Sequence, residues 1–304
     1  MAQKEVKQRI GSVKNVQKIT RAMEMVAAAR LRRAEQRIAS LRPYASAIRR
    51  MTRQAAEAAG NVPNVPILQD RPEAKTVAIL LLTGDRGLAG AFNSQIIRAG
   101  VRAGAEHEGQ GREVLYYASG RRGVSSLAFR KKETAGSYTG HTDRPSYANA
   151  REIGEDLMAD YVDGKIDRVE VVYNAYVSPL VQNVTREVLL PLQQATVKEA
   201  EEMQEDIAGG KDDEDTGHTA LTEYEPEPDE ILQRLVPDYV EISLYRALLE
   251  STASEHGARM TAMRSASENA GDIIKDLTLQ LNRERQADIT QEIMEVVAGA
   301  ESLV

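Results

Sequence analysis

VAILLLTGDRGLAG, residues 77–90, opens on an apolar run of strand length and closes in a turn with three glycines. GAFNSQIIRAGVRAGAEH (90–107) follows with helical spacing, so the stretch reads as strand, tight loop and helix. A phosphate cradle would need the order G-x-x-x-x-G-K-S/T, and a dinucleotide fingerprint the order G-x-G-x-x-G. Gly84, Gly87 and Gly90 instead give G-x-x-G-x-x-G, and no Lys-Ser/Thr pair follows. Asp85 also places a carboxylate where a phosphate would sit, which is unfavourable without an intervening cation. The residues favour a structural bend: the glycines permit tight turning and close helix–sheet contact, and Asp85 and Arg86 are expected to form local hydrogen bonds.

Outward from this unit the pattern alternates. Strands are predicted at Thr76 to Thr83, Val114 to Ser119, Arg168 to Val177 and Val181 to Leu190. Helices are predicted at Ala91 to Glu106, Arg121 to Phe129 and Tyr147 to Val162. Alternation of this kind implies a mostly parallel sheet with helices on its faces, a Rossmann-like α/β domain over residues 75–195.

The flanks are helical. From Gln3 to Ala59, apolar or small residues recur in steps of three and four: Val6, Ile10, Val13, Val16, Ile19, Met23, Val26, Leu31, Ala34, Ile38 and Ile48. Pro43 should disturb one turn, and Gly60, Pro63 and Pro66 should stop the helix. A second stripe follows Pro237, from Val240 through Leu248, His256, Met263, Ala270 and Leu281 to Asp288, Glu292 and Val296, with Ile289 and Ile293 beside it. Neither helix can bury its stripe alone, so residues 1–59 and 231–304 are expected to pair as a long antiparallel coiled coil. Alanine and glycine in both would keep the pair thin.

Composition narrows the function. There is no Cys, which excludes disulfides, thiol nucleophiles and cysteine metal sites. The four His are scattered without metal-ligand spacing, and no nucleophile, base and orienting group stand together in any motif. Two Phe and no Trp predict a core filled mainly by aliphatic side chains. The longest aliphatic run is far short of the roughly 20 residues of a membrane helix, and Met1 leads straight into a charged helix, so a cytoplasmic location is expected. The net charge of −7 hides two blocks: residues 1–53 carry 14 Lys/Arg against three acids, and 198–230 carry 14 acids against two Lys. The acidic block, with its Gly, Pro and like charges, is expected to be a mobile loop over 196–230. On these residues alone two other functions stay open: a nucleotide-binding enzyme with a coiled-coil arm, and a nucleic-acid binder using the basic helix. The second lacks the stacking aromatics and known modules of such proteins.

Three separated motifs carry a resemblance. RIGSVKNVQKITRAMEMVAAARLRRAE (9–35), TGDRGLAGAFN (83–93) and the segment Ala253 to Ala300 closely resemble the gamma subunits of F-type ATP synthases, across both terminal helices and the first strand–loop–helix. The resemblance implies a non-catalytic rotor with no cofactor and no nucleic acid. Its partners would be the alpha, beta, epsilon and c-ring subunits, and its place the cytoplasmic face of the cell membrane, peripherally held. It further implies contacts with the alpha/beta ring at Arg259, Gln286, Thr290 and Met23, and makes Arg30, Arg32, Arg33 and Arg37 candidates for facing acidic beta-subunit loops. Without Cys, the redox switch of some photosynthetic members is absent.

Overall fold

The computed structural model describes residues 2–58, 67, 71, 74–192 and 228–301. Its elements are α1 (Ala2–Ala58), β1 (Thr76–Leu82), α2 (Phe92–Gly109), β2 (Glu113–Ser119), α3 (Arg121–Phe129), β3 (Thr134–Tyr138), α4 (Tyr147–Val162), β4 (Arg168–Tyr176), β5 (Gln182–Leu190) and α5 (Pro228–Glu301). The predicted stop after α1 and most of the predicted acidic loop lie outside the described residues. The last three residues assigned to that loop, 228–230, already belong to α5.

The sheet runs β3-β2-β1-β4-β5, parallel except for the antiparallel edge strand β5. From Val77 onward every residue of β1 is buried, because both faces are covered and no polar alternation is needed. Ala78, Leu80 and Leu82 point into one core with Leu157 and Tyr161 of α4 and with Leu232, Val236, Val240 and Leu244 of α5. Val77, Ile79 and Leu81 point into the other, with Ile96 and Ala103 of α2 and Leu127 of α3. The cores are mainly aliphatic, as expected, and tyrosine adds to them: Tyr116, Tyr161 and Tyr173 are among the largest fully buried side chains. Each supplies an aromatic ring with a polar end, which explains how a chain so poor in Phe fills two cores.

Two elements depart from the sequence expectation. β3 was not among the predicted strands: it is a five-residue edge strand, TAGSY, whose glycine and small polar residues carry no strand signal. α5 begins at Pro228, three residues before the expected bound of 231, and continues through Pro237. Leu232, Val236, Val240 and Leu244, spaced by four and fully buried, hold the helix through the proline, so packing outweighs one lost backbone bond. The start of α4 follows local chemistry more closely. Ser146 accepts the N–H of Asn149 and Asn149 accepts that of Ser146, a reciprocal cap. Ser146→Ala is expected to cost about 1 kcal/mol, seen as a lower urea midpoint with an unchanged slope.

The described chain divides into two compact units, residues 1–29 with 259–304 and residues 30–258. In the first, the helices run antiparallel. Arg264 donates to Glu24 (2.9 Å), the Gln17 amide donates to the Ser267 carbonyl (3.2 Å), and Arg9 and Val13 share a groove with Ile273 and Leu277, so rising numbers on α1 meet falling numbers on α5. Continuing that register to Ala2 reaches α5 near residue 284, at about 1.5 Å per residue on both helices. Beyond it, every residue from Arg285 to Ala298 is exposed. The stripe expected to stay paired through Val296 is therefore corrected: Ile289, Ile293 and Val296 are 47%, 57% and 72% exposed, because α1 has ended. Val16, Ile19 and Val26, expected in the α1 stripe, are also more than half exposed, since a two-helix seam covers only a narrow face.

Candidate functional site

In a doubly wound sheet, ligands bind beyond the carboxyl ends of the strands where the strand order reverses. Here that place lies beyond β1 and β4, and it is occupied by the protein's own C-terminal helix. The Ser251 hydroxyl donates to the carbonyl of Leu82 at the end of β1 (3.1 Å), and that of Ser254 donates to the carbonyl of Asn174 near the end of β4 (2.9 Å). Thr252 donates to the carbonyl of Thr142, in the loop after β3 (2.9 Å). Gly84 lies against Glu255, where an added Cβ would stand 2.7 Å from the carboxylate. The run Ser251 to Gly257 is buried throughout.

The loop after β1 is likewise committed. Asp85 accepts the N–H of Arg121, the first residue of α3 (3.1 Å), and so caps that helix where a phosphate would otherwise sit. Its other oxygen accepts the N–H of Gly140 (2.9 Å) and the hydroxyl of Thr142 (3.0 Å). Burial disfavours the charged form, but these donors outweigh it and hold the carboxyl below its ordinary range. The expected local bonds of Asp85 are thus corrected to distant ones, joining the loops that follow β1, β2 and β3. Asn93 fixes the turn by accepting the Gly84 N–H (2.8 Å) and donating to the Arg86 carbonyl (3.2 Å). Gly90 has φ of 55°, in the left-handed region that glycine tolerates.

Asp143, two residues past His141, faces α1. Its carboxylate accepts from Arg30 and lies 3.3 Å from Arg86. Burial again opposes ionisation, while the Arg30 hydrogen bond and charge, with Arg86 and His256 behind them, hold the carboxyl low. Five residues further along α1, Glu35 accepts the hydroxyl of Tyr176 at the end of β4.

The residues named for partner contact fall in both units. Met23, Arg259, Gln286 and Thr290 belong to the first, and Arg30, Arg32 and Arg33 to the second. Gln286 and Thr290 are exposed on the part of α5 beyond the end of α1, with the Thr290 hydroxyl turned to the Gln286 carbonyl (2.8 Å). Arg32 and Arg33 are exposed, Met23 is half-buried and Arg259 is buried at 8% exposure. Sequence reasoning missed Asp143, Ser251, Thr252, Ser254, Glu35 and Tyr176. A signal for three of them existed: Ser-Thr-Ala-Ser in a helix interior is a run of poor helix formers whose hydroxyls seek backbone carbonyls.

Among the described residues there is no group of three or more His, Asp or Glu placed to hold a metal, and no helix is long and apolar enough to cross a membrane. The fold and its sheet edge define an α/β protein whose ligand crevice is closed by its own helix and whose helical ends pair. A family model described as ATP synthase matches residues 2–303. The chain is 43% identical over 300 residues to the ATP synthase gamma chain of Rubrobacter xylanophilus, covering 99% of this chain and 98% of that one. It is 40% identical over 301 residues to that of Streptomyces avermitilis, covering 98% and 94%. A chain of the Euglena gracilis mitochondrial ATP synthase shares the fold, with a TM-score of 0.67 at 18% identity over 99% of this chain and 94% of that one. The chain belongs to the ATP synthase gamma-chain family, and as such is a non-catalytic subunit.

Proposed function

We propose that this chain is the central rotor shaft of an F-type ATP synthase, coupling proton flow through the membrane sector to ATP synthesis and hydrolysis in the alpha/beta ring. Its full-length family match, with both terminal helices included, carries the reading. The c ring turns the chain, epsilon sits beside it, and its uneven helical sides shift the three catalytic sites between affinities in sequence. The complex holds it peripherally on the cytoplasmic face of the cell membrane. Functionally the chain divides into residues 1–59 and 231–304 as the helical pair, 75–195 as the central domain and 196–230 as an acidic spacer.

Contacts with the ring run through Met23, Arg259, Gln286 and Thr290. The exposure of Gln286 and Thr290 on unpaired helix supports this, since their polar groups stand open to a surrounding sleeve. Arg32 and Arg33 face acidic beta-subunit loops, where opposite charge guides the approach. Arg30 belongs to the same basic stretch, with its guanidinium supported by Asp143. Adding the purified chain to a complex depleted of it should restore ATP-driven proton pumping, while the chain alone hydrolyses no ATP. Saturable ATP binding by the chain alone, abolished by substitution at Gly84 or Gly87, would favour a nucleotide-binding enzyme instead.

A further inference from the structure

The loop 140–143 holds both helices at once. Its Thr142 carbonyl shares the Thr252 hydroxyl of α5 with the Leu248 carbonyl (2.9 and 2.8 Å), and its Asp143 carboxylate accepts from Arg30 of α1. The loop is itself held by Asp85, which takes the Gly140 and Thr142 N–H groups and the Thr142 hydroxyl. We infer that this loop is a torsional joint, fixing the angle at which the stretches of α1 and α5 that belong to the second unit are set on the sheet, with Asp85 and Asp143 as its positioning residues. The inference rests on the rotor reading, because it assigns these bonds the task of carrying torque between the helices and the sheet.

The geometry resists twist specifically. At about 100° per residue, Ser251, Thr252 and Ser254 spread over roughly 160° of the α5 circumference, and they bond to three different segments at the sheet edge. On α1, Arg30 and Glu35 lie roughly 140° apart around the axis, and bond to Asp143 and Tyr176. A spin of about 30° at a radius of about 5 Å moves a side-chain tip by about 2.5 Å, several times the tolerance of a hydrogen bond. Helices held on one side by apolar contact alone would have no such stop. The α5 bonds are buried and end on backbone carbonyls, so side-chain rearrangement cannot follow a turning helix.

The test uses the whole complex and compares proton pumping with ATP hydrolysis. Asp143→Arg and Arg30→Asp should each lower the protons pumped per ATP roughly twofold or more, and the double exchange should recover over half of that loss, the signature of a direct pair. Arg86 is exposed enough to swing away from the arginine placed at 143 in the exchange. Should Asp143→Arg fail to assemble, Asp143→Asn keeps the volume, and a bead fixed to the central domain, with the alpha/beta ring held on a surface, should then show about twice the angular fluctuation of the unmodified complex. Unchanged coupling and fluctuation in the single variants, or losses that merely add in the double exchange, overturn the joint. An unmodified complex that pumps normally alongside such variants would leave the rotor reading intact, whereas one in which the chain never turns would remove that reading itself.

Discussion

Glu170→Ala is expected to destabilise the chain by about 3 kcal/mol, the lower end of the range for breaking a buried ion pair, because its cationic partners still reach water. Glu170 sits in β4 at 1% exposure. One oxygen accepts from Arg168 (2.8 Å) and lies 3.2 Å from His107, and the other accepts from Arg186 (2.6 Å). Removing the carboxylate leaves two guanidinium groups around an emptied site. Burial opposes the charge on Glu170, but Arg186, Arg168 and His107 together hold its carboxyl below the usual glutamate range. A depressed carboxyl contributes stability in full above the unfolded value of about 4.3 and loses it as pH falls through the folded value. Urea midpoints should therefore separate the two proteins widely at pH 7 and bring them together as pH drops below about 4. A constant gap across that range would show that packing, and not charge, sets the cost.

Leu80→Ala and Leu81→Ala are each expected to cost about 3–4 kcal/mol, with the unfolding slope unchanged. Both are fully buried in β1 and point to opposite faces, so equal losses report a sheet covered on both sides. The contrast is Ile293→Ala on the unpaired end of α5, which should stay within about 0.5 kcal/mol in the isolated chain. A loss there as large as in β1 would mean that the end of α5 is packed in the free chain, against its 57% exposure.

The elements most legible in sequence are those whose signal is local. β1 shows as an aliphatic run, α3 and α4 as predicted residue for residue, and both terminal helices as long stripes. β3 was hidden because an edge strand of small polar residues needs no apolar face. Only residues 228–230 of α5 were hidden, among the prolines and acids read as loop, although Leu232 and Val236 begin the four-residue spacing that packing rewards. Where each stripe is covered was hidden for a different reason: Ile19 and Leu31 look alike in sequence, and only the neighbour decides that one is 58% exposed and the other 4%. At the sheet edge, the glycine order and Asp85 spoke against a phosphate. The destinations of the Asp85 bonds, 36 to 57 residues away, belong to the fold and to no motif.

As the rotor shaft, the paired terminal helices turn as one body within partners that carry out the chemistry. The most direct measurement fixes an alpha/beta ring to a surface, attaches a bead to the central domain of this chain, and follows the bead under ATP. Stepwise rotation in one direction that stops when ATP is withdrawn is the predicted result. A bead that stays fixed while the ring hydrolyses ATP at full rate would contradict the account.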